Sequence, residues 1–353
     1  MDAPMSRAVK SVCTERKMVQ ERSEAGEARP IEYIVKESQR PADAKPLLAS
    51  PLPVVHLGQP DEAEEIKAAL QSWGMFQVID HGMPPSFLDE VRDVARAFFK
   101  LPVEEKKKYI NIRDGMFGRE GYGNDQVKVE GQILDWTDRL YLFVQPEDQT
   151  KPELWPTNPT SFRDVLHEFT MKTKKLVEDV LKTTAKSLEL NQDSFESHLG
   201  DKFSILAKFN YYPCCSKPDL VFGVKPHSDG TLITVILPDK DVEGLQVMND
   251  GEWITVTTSP HALIINIGDQ MEIMSNGIFK SPVHRVVTFS DKDRISIAMF
   301  CANLPGKVIG PVDELVNDMR PRMYKNVKVK DYVEVFQQRF HQGKSALDWA
   351  QVL

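Results

Sequence analysis

The chain has 353 residues, 41% hydrophobic and 27% charged, the balance of a folded globular protein rather than a disordered one. Its 44 basic and 52 acidic side chains leave a net charge of −8, which argues against a general nucleic-acid or membrane-surface binder, since those need a basic face. No run reaches the roughly 18–20 apolar residues of a membrane span, and the first thirty residues lack the apolar core of a signal peptide.

The four cysteines, Cys13, Cys214, Cys215 and Cys301, are too few and too scattered for a disulfide framework or a structural zinc site. Cys214 and Cys215 are chain neighbours and poor partners for each other. The expectation is a soluble, monomeric, cytoplasmic protein with reduced thiols, the nucleus also being open to it.

Residues 1–50 mix charge, proline and small residues and read as an N-terminal arm with a short helix near 14–24. The globular fold begins at Leu52-Pro53-Val54-Val55, opening a mainly helical region over 51–200 whose strands join a later sheet. Glu65 to Leu70 has helical spacing and stops at Gly74. A buried strand, Met75 to Ile79, follows and closes at His81-Gly82. An amphipathic helix covers about 84–100, and Pro102 marks a new helical start. The longest periodic segment runs from Ser161 to Leu188, with Phe162, Val165, Leu166, Phe169, Leu176, Val177, Val180, Leu181 and Leu188 on one stripe; it reads as a core face.

From about 203 the period becomes strand-like. β-Branched runs occur at Thr231 to Leu237, Leu245 to Met248, Trp253 to Thr257, Ala262 to Ile267 and Arg294 to Phe300, and Asn249-Asp250-Gly251 between two of them is a hairpin signal. Many short strands with Gly and Pro turns predict a sandwich or jelly roll over 201–310. A final helix, about 329–342, lies in a C-terminal helical segment, 311–353.

Residues two apart on a strand share a face, so His227 and Asp229 present an imidazole and a carboxylate side by side. His284, at the head of another strand-like run, is the best third partner. Two neutral imidazoles and one carboxylate leave several coordination positions open, the arrangement suited to oxygen-activating iron(II). A His-x-Asp pair alone is weak evidence, and the case is strengthened by Arg294-Ile295-Ser296, ten residues after His284. Arg294 and Ser296 share a strand face with Ala298 and Phe300, while Ile295, Ile297 and Met299 take the other. A guanidinium turned inward needs an anion, because an unpaired buried charge is costly, and its planar fork matches a carboxylate. A dicarboxylate with one end on the metal and the other on Arg294 and Ser296 meets both demands.

The sequence resembles the plant 2-oxoglutarate/iron(II)-dependent dioxygenases over about residues 50–342. The carriers are Trp73-Gly74-Met75-Phe76 with His81-Gly82, Asp135-Trp136-Thr137-Asp138, and Phe209-Asn210-Tyr211-Tyr212-Pro213, followed by His227-Ser228-Asp229, Gly244-Leu245-Gln246, Asn276-Gly277 with His284-Arg285-Val286, and Arg294-Ile295-Ser296. The resemblance implies a mixed α and β fold, a double-stranded β-helix (jelly roll) core flanked by helices. It implies iron(II) held by His227, Asp229 and His284, and 2-oxoglutarate held by Arg294 and Ser296 with Tyr212 and Asn210 assisting. The implied reaction consumes O2, releases succinate and CO2 through a ferryl intermediate, and is supported by ascorbate.

Asp135 to Leu140 and Asp219 to Gly223 look like the specialised-metabolism branch of that family, and resemble its grass subgroup associated with hydroxylating triketone herbicides. That resemblance implies hydroxylation or O-demethylation of a small aromatic or cyclic metabolite or xenobiotic. The rival readings are a hormone-modifying dioxygenase, a zinc hydrolase on the same ligands, and a non-catalytic small-molecule binder. For substrate contacts the expectations are Phe300, inward on the Arg294 strand, Arg139 and Tyr141 after the Asp-Trp-Thr-Asp segment, and Lys208 before the Asn-Tyr-Tyr turn. The cysteines are expected to be buried thiols, with approach to the site as the alternative for Cys301, directly after that strand. The sequence departs from the family pattern at Cys214 and Ser216, where proline is frequent, at His56, where an acid is common, and at Asp80, where asparagine is usual.

Overall fold

A computed structural model describes residues 17–27, 31–37, 40–41, 49–113, 116–117, 120–125, 131–195, 203–340 and 345–352. Residues 14–16 and 341–342 of the two expected terminal helices, and Cys13, lie outside the described residues.

Two sheets form the centre. The larger has eight strands in the order Val54–His56, Met75–Ile79, Leu263–Ile267, Ile233–Leu237, Arg294–Ala302, Ser204–Tyr212, Asp138–Gln145 and Gly121–Gly123. The smaller has five, in the order Ala49–Pro51, Glu252–Thr257, Leu245–Asn249, His284–Val286 and Val224–His227. Neighbours far apart in sequence, such as Ser204–Tyr212 beside Arg294–Ala302, make this the expected jelly roll.

The period-2 alternation sends the two faces of the large sheet to different cores. Ile295, Ile297, Met299 and Cys301 join Ile205, Ala207 and Phe209 in the cluster that also holds the helical residues Phe162, Phe169 and Leu181. Ala298 and Phe300 face the other way, into a cluster shared with Leu245, Val247 and Val286 of the small sheet. The interior between the sheets is therefore where Arg294 and Ser296 point. Cys301 does not: one residue beyond Phe300, the alternation turns it into the helix-side core, where it is fully buried. The buried-thiol reading of Cys301 thus holds, and its alternative, an approach to the site, fails because the strand continues to Ala302.

The helix-side layer is built on Phe162–Ser187, whose stripe Phe162, Val165, Leu166, Phe169, Leu176, Val177, Val180 and Leu181 is buried. It packs on Glu62–Ser72 and on Pro85–Lys100 as well as on the sheet. Each such large apolar side chain contributes roughly 1.5–3 kcal/mol by leaving water. The Asn249-Asp250-Gly251 turn joins the paired strands Leu245–Asn249 and Glu252–Thr257; Asp250 and Gly251 have φ of 49° and 81°, as a type I′ turn requires. His56 and Asp80, two departures from the family pattern, meet each other at 3.1 Å, so the second offsets the first.

Three features were not read from the sequence. The strand Asp138–Gln145 carries Leu140, Leu142 and Val144 on one face but Tyr141 and Phe143 on the other, so no polar alternation marks it. The short helix Asp269–Met274 is buried on every side and has no amphipathic stripe. Parts of the first fifty residues are packed: Met18, Val19, Tyr33 and Val35 are buried, and the Val19 and Gln20 N–H groups donate to the Asp138 carboxylate at 2.9 and 2.8 Å.

Candidate metal and cosubstrate site

His227 ends one strand of the small sheet and His284 begins its antiparallel neighbour, directly opposite in register. Asp229 follows two residues later, and its loop is fastened by the Asp269 N–H, which donates to the Asp229 carbonyl at 2.7 Å. Both imidazole Nε2 atoms lie 3.7 Å from Asp229 Oδ1. Ligand atoms sharing an octahedral ion at about 2.1 Å stand roughly 3–4 Å apart, so the three fit a single ion. Among the described residues they are the one group of three or more such side chains whose ligand atoms converge, all within 4.8 Å.

The surroundings fix which atoms face inward. His227 Nδ1 lies 2.8 Å from the Lys225 carbonyl and His284 Nδ1 3.1 Å from that of Pro282. A carbonyl only accepts, so each Nδ1 carries the proton and each Nε2 offers a lone pair. Asp229 Oδ2 accepts from Thr234 Oγ1 at 2.7 Å and Asn266 Nδ2 at 2.6 Å, leaving Oδ1 for a metal. Burial, with the neighbouring His284, pushes His227 down to about 3 and keeps it neutral. Burial raises Asp229, but His284, His227 and its two hydrogen bonds outweigh that and hold it below the usual carboxylate range. His227 and Asp229 thus have the protonation that a divalent metal needs.

Arg294 lies on the inward face of its strand, opposite Tyr212, and Ser296 lies opposite Asn210. Arg294 is 3% exposed. Its Nε donates to the Val242 carbonyl at 3.3 Å, and its guanidinium stands 5.2 Å from the Tyr212 ring. Its Nη1 is buried with no partner, and among the described residues no carboxylate reaches it within 4 Å. Gly244 makes room for it: a Cβ there would stand 3.1 Å from Arg294 Cδ. Asn210 Nδ2 donates to Ser296 Oγ at 3.3 Å, leaving the serine hydroxyl proton free to point inward, while Asn210 Oδ1 is a second buried atom without a partner. A buried guanidinium without a counter-ion costs several kcal/mol unless an anion joins it. The planar fork of this guanidinium suits a carboxylate.

The four expected substrate residues share this inward face. Arg139 and Tyr141 pair with Asn210 and Lys208 across two strands, and Phe300 pairs with Thr234, the residue that holds Asp229. Arg139 is not free: Asp125 grips it at 2.6 Å. Lys208 Nζ stands 5.3 Å from the Tyr141 ring.

Other residues at the site were missed. Thr234 and Asn266 are single polar side chains in otherwise apolar strands, a signal visible in Ile264-Ile265-Asn266-Ile267. Lys225 pairs with Asp135 at 2.9 Å and Asp125 at 3.6 Å, joining the strand of His227 to the Asp-Trp-Thr-Asp segment. From the helix Val329–Phe340, the Phe340 ring meets His227 edge-on at 5.4 Å, and Phe336 packs on Gly230, where a Cβ would come within 2.8 Å of its ring. No sequence signal marks these two contacts. His81 and His261 are structural: His81 Nε2 lies 3.1 Å from the His261 carbonyl.

Residues 203–303 match the model of the 2OG-Fe(II) oxygenase superfamily, and residues 52–158 that of the non-haem dioxygenase in morphine synthesis N-terminal region. Among curated proteins, jasmonate-induced oxygenase 4 of Arabidopsis thaliana is 38% identical, with 82% of each chain aligned. Codeine O-demethylase of Papaver somniferum is 37% identical over 86% of this chain and 82% of its own. A crystal structure of JOX2 in complex with 2OG, Fe and JA superposes with a TM-score of 0.89 at 35% identity, covering 96% of this chain and 98% of the other.

Proposed function

Because the chain belongs to the 2OG-Fe(II) oxygenase superfamily, and is thus an oxidoreductase that works with iron(II) and 2-oxoglutarate, we propose that it hydroxylates or O-demethylates a small aromatic or cyclic plant metabolite or xenobiotic. In this reading His227, Asp229 and His284 are the iron ligands. Arg294 and Ser296 take the far carboxylate of 2-oxoglutarate, with Tyr212 and Asn210 at their side. The observation that carries the reading is the buried Arg294 Nη1 without a partner, on the inward face of the same sheet that supplies both hydrogen bonds to Asp229.

Iron held by His227, Asp229 and His284 would supply the oxygen chemistry, in which one atom of O2 would go to succinate, with CO2 released from 2-oxoglutarate, and the other to the substrate carbon. The chain's own residues do the rest. The two carbonyl-anchored imidazoles and the doubly hydrogen-bonded Asp229 keep three donors aimed at one point, so the metal's remaining positions stay open to the reactants. Arg294 orients the diacid by a two-point contact. Phe340 and Phe336, set against His227 and Gly230, shield the metal side from water. A hydroxylated methyl ether is a hemiacetal that loses formaldehyde, so hydroxylation and O-demethylation share one oxidation.

The named relatives support a small plant metabolite, and the segments Asp135 to Leu140 and Asp219 to Gly223 support the narrower likeness to the triketone-hydroxylating grass subgroup. We read the protein as a monomer of the cytoplasm, with no nucleic-acid partner, in keeping with its net charge of −8, and with ascorbate as a supporting reductant. The test is oxygen uptake and succinate formation with iron(II), ascorbate, 2-oxoglutarate and a panel of aromatic ethers, cyclic acids and triketones. Succinate formed in step with substrate loss is expected. Substrate turnover without 2-oxoglutarate or O2 would point to a hydrolase instead, and no succinate with any compound would favour a binding protein.

A further inference from the structure

We propose that the substrate carries a carboxylate, and that the Lys208 ammonium, turned into the space between the sheets and lacking a carboxylate partner among the described residues, is the group that pairs with it. The inference rests on the oxygenase reading and adds to it the charge of the substrate.

Lys208 sits in the middle of Ser204–Tyr212, on the face that also bears Asn210 and Tyr212, and its cross-strand neighbours are Ala298 and Tyr141. It is 9% exposed. Among the described residues no carboxylate lies within 4 Å of its Nζ, whereas Arg139 on the same face has Asp125, and Lys225, on the facing small sheet, has Asp135 and Asp125. Asp229 is committed to the imidazoles. The two acids and two bases of the Arg139–Lys225 group cancel, and Arg294 is matched by the cosubstrate, so Lys208 is left as one uncompensated positive charge.

The Tyr141 ring at 5.3 Å offsets only part of the cost of taking an ammonium out of water. An anionic ligand removes the rest. One register step along the same pair of strands, Phe300 stands opposite Leu206 and, on its other side, opposite Thr234. An acid seated on Lys208 therefore leaves an apolar body lying along Phe300 and Leu206, beside the residue that holds Asp229.

The test is equilibrium binding under anaerobic conditions, with iron(II) and 2-oxoglutarate present so that no turnover occurs. The probes are 1-naphthylacetate, 4-methoxycinnamate and cyclopentylacetate, each against its primary amide, and 2-oxoglutarate binding is measured in the same samples. At least one acid is expected to bind about tenfold or more tighter than its amide. Lys208→Met should bring that pair within roughly threefold, and Lys208→Arg, which keeps the charge, should preserve the preference. Equal binding of acids and amides to the wild type, no binding of any acid, or an intact preference in Lys208→Met would overturn the inference. A lysine that only braces Tyr141 gives that last result, with a lower melting temperature. Wild-type protein that fails to bind 2-oxoglutarate would instead sink the oxygenase reading, and this inference with it.

Discussion

His227 and His284 stand directly opposite each other across two antiparallel strands, with ring centroids 4.3 Å apart, and share Asp229 Oδ1 at equal distances of 3.7 Å. Two imidazoles that close, both with Nε2 turned to one carboxylate oxygen, form a chelating pocket rather than a packing contact.

His227→Ala should therefore remove iron(II) binding and lower turnover by more than about 100-fold, since even residues outside the ligand set typically cost 10–100-fold. The metal-free variant should melt near the metal-free wild type. Metal content after dialysis and succinate formation measure this; near-normal activity would take His227 out of the iron site.

Arg294→Lys keeps the charge and loses the fork. The concentration of 2-oxoglutarate needed for half-maximal rate should rise roughly 10–100-fold, while iron binding holds. An unchanged requirement would contradict the clamp, and the steady-state titration of 2-oxoglutarate decides it.

Asn266→Ala leaves Asp229 Oδ2 with the Thr234 hydroxyl alone. The carboxylate is then free to turn, and iron affinity should fall about 10-fold or more without loss of the fold. Competition with a chelator reads the affinity; wild-type retention of iron would show that Thr234 suffices.

Burial pushes the Asp138 carboxyl up to about 6, against the pull of the Gln20 and Val19 N–H groups and Lys106. A folded pKa above the unfolded value of about 3.9 means that the folded state holds the extra proton between those limits, so stability falls as pH rises from about 4 to 6. The effect is on the order of 3 kcal/mol. Urea unfolding of the metal-free protein at pH 4.5 and 7 should show a larger loss in the wild type than in Asp138→Asn, which keeps the contribution of Asp269, pushed up to about 7 by burial. A parallel pH response of the two proteins would contradict it.

Much of this was legible in the sequence because period-2 alternation and motif spacing are local. The two faces of Arg294–Ala302, the long helical stripe from Phe162 and the turn at Asp250-Gly251 need no knowledge of distant residues. The ion pair of Arg139 was not legible, since Asp125 reaches it only once Asp138–Gln145 has paired with Gly121–Gly123. Nor were the supports of Asp229, which come from two strands whose register brings Thr234 opposite Asn266. Phe340 meets His227 through the packing of a helix more than a hundred residues later in the chain, and an aromatic on a helix carries no mark of its partner.

The most direct measurement is a crystal structure of the protein grown anaerobically with iron(II) and 2-oxoglutarate, using anomalous scattering at the iron edge. The account predicts one iron peak about 2.1 Å from His227 Nε2, His284 Nε2 and Asp229 Oδ1, with the far carboxylate of the diacid forked on Arg294 and touching Ser296. Iron bound elsewhere, or a diacid whose far end avoids Arg294, would contradict it.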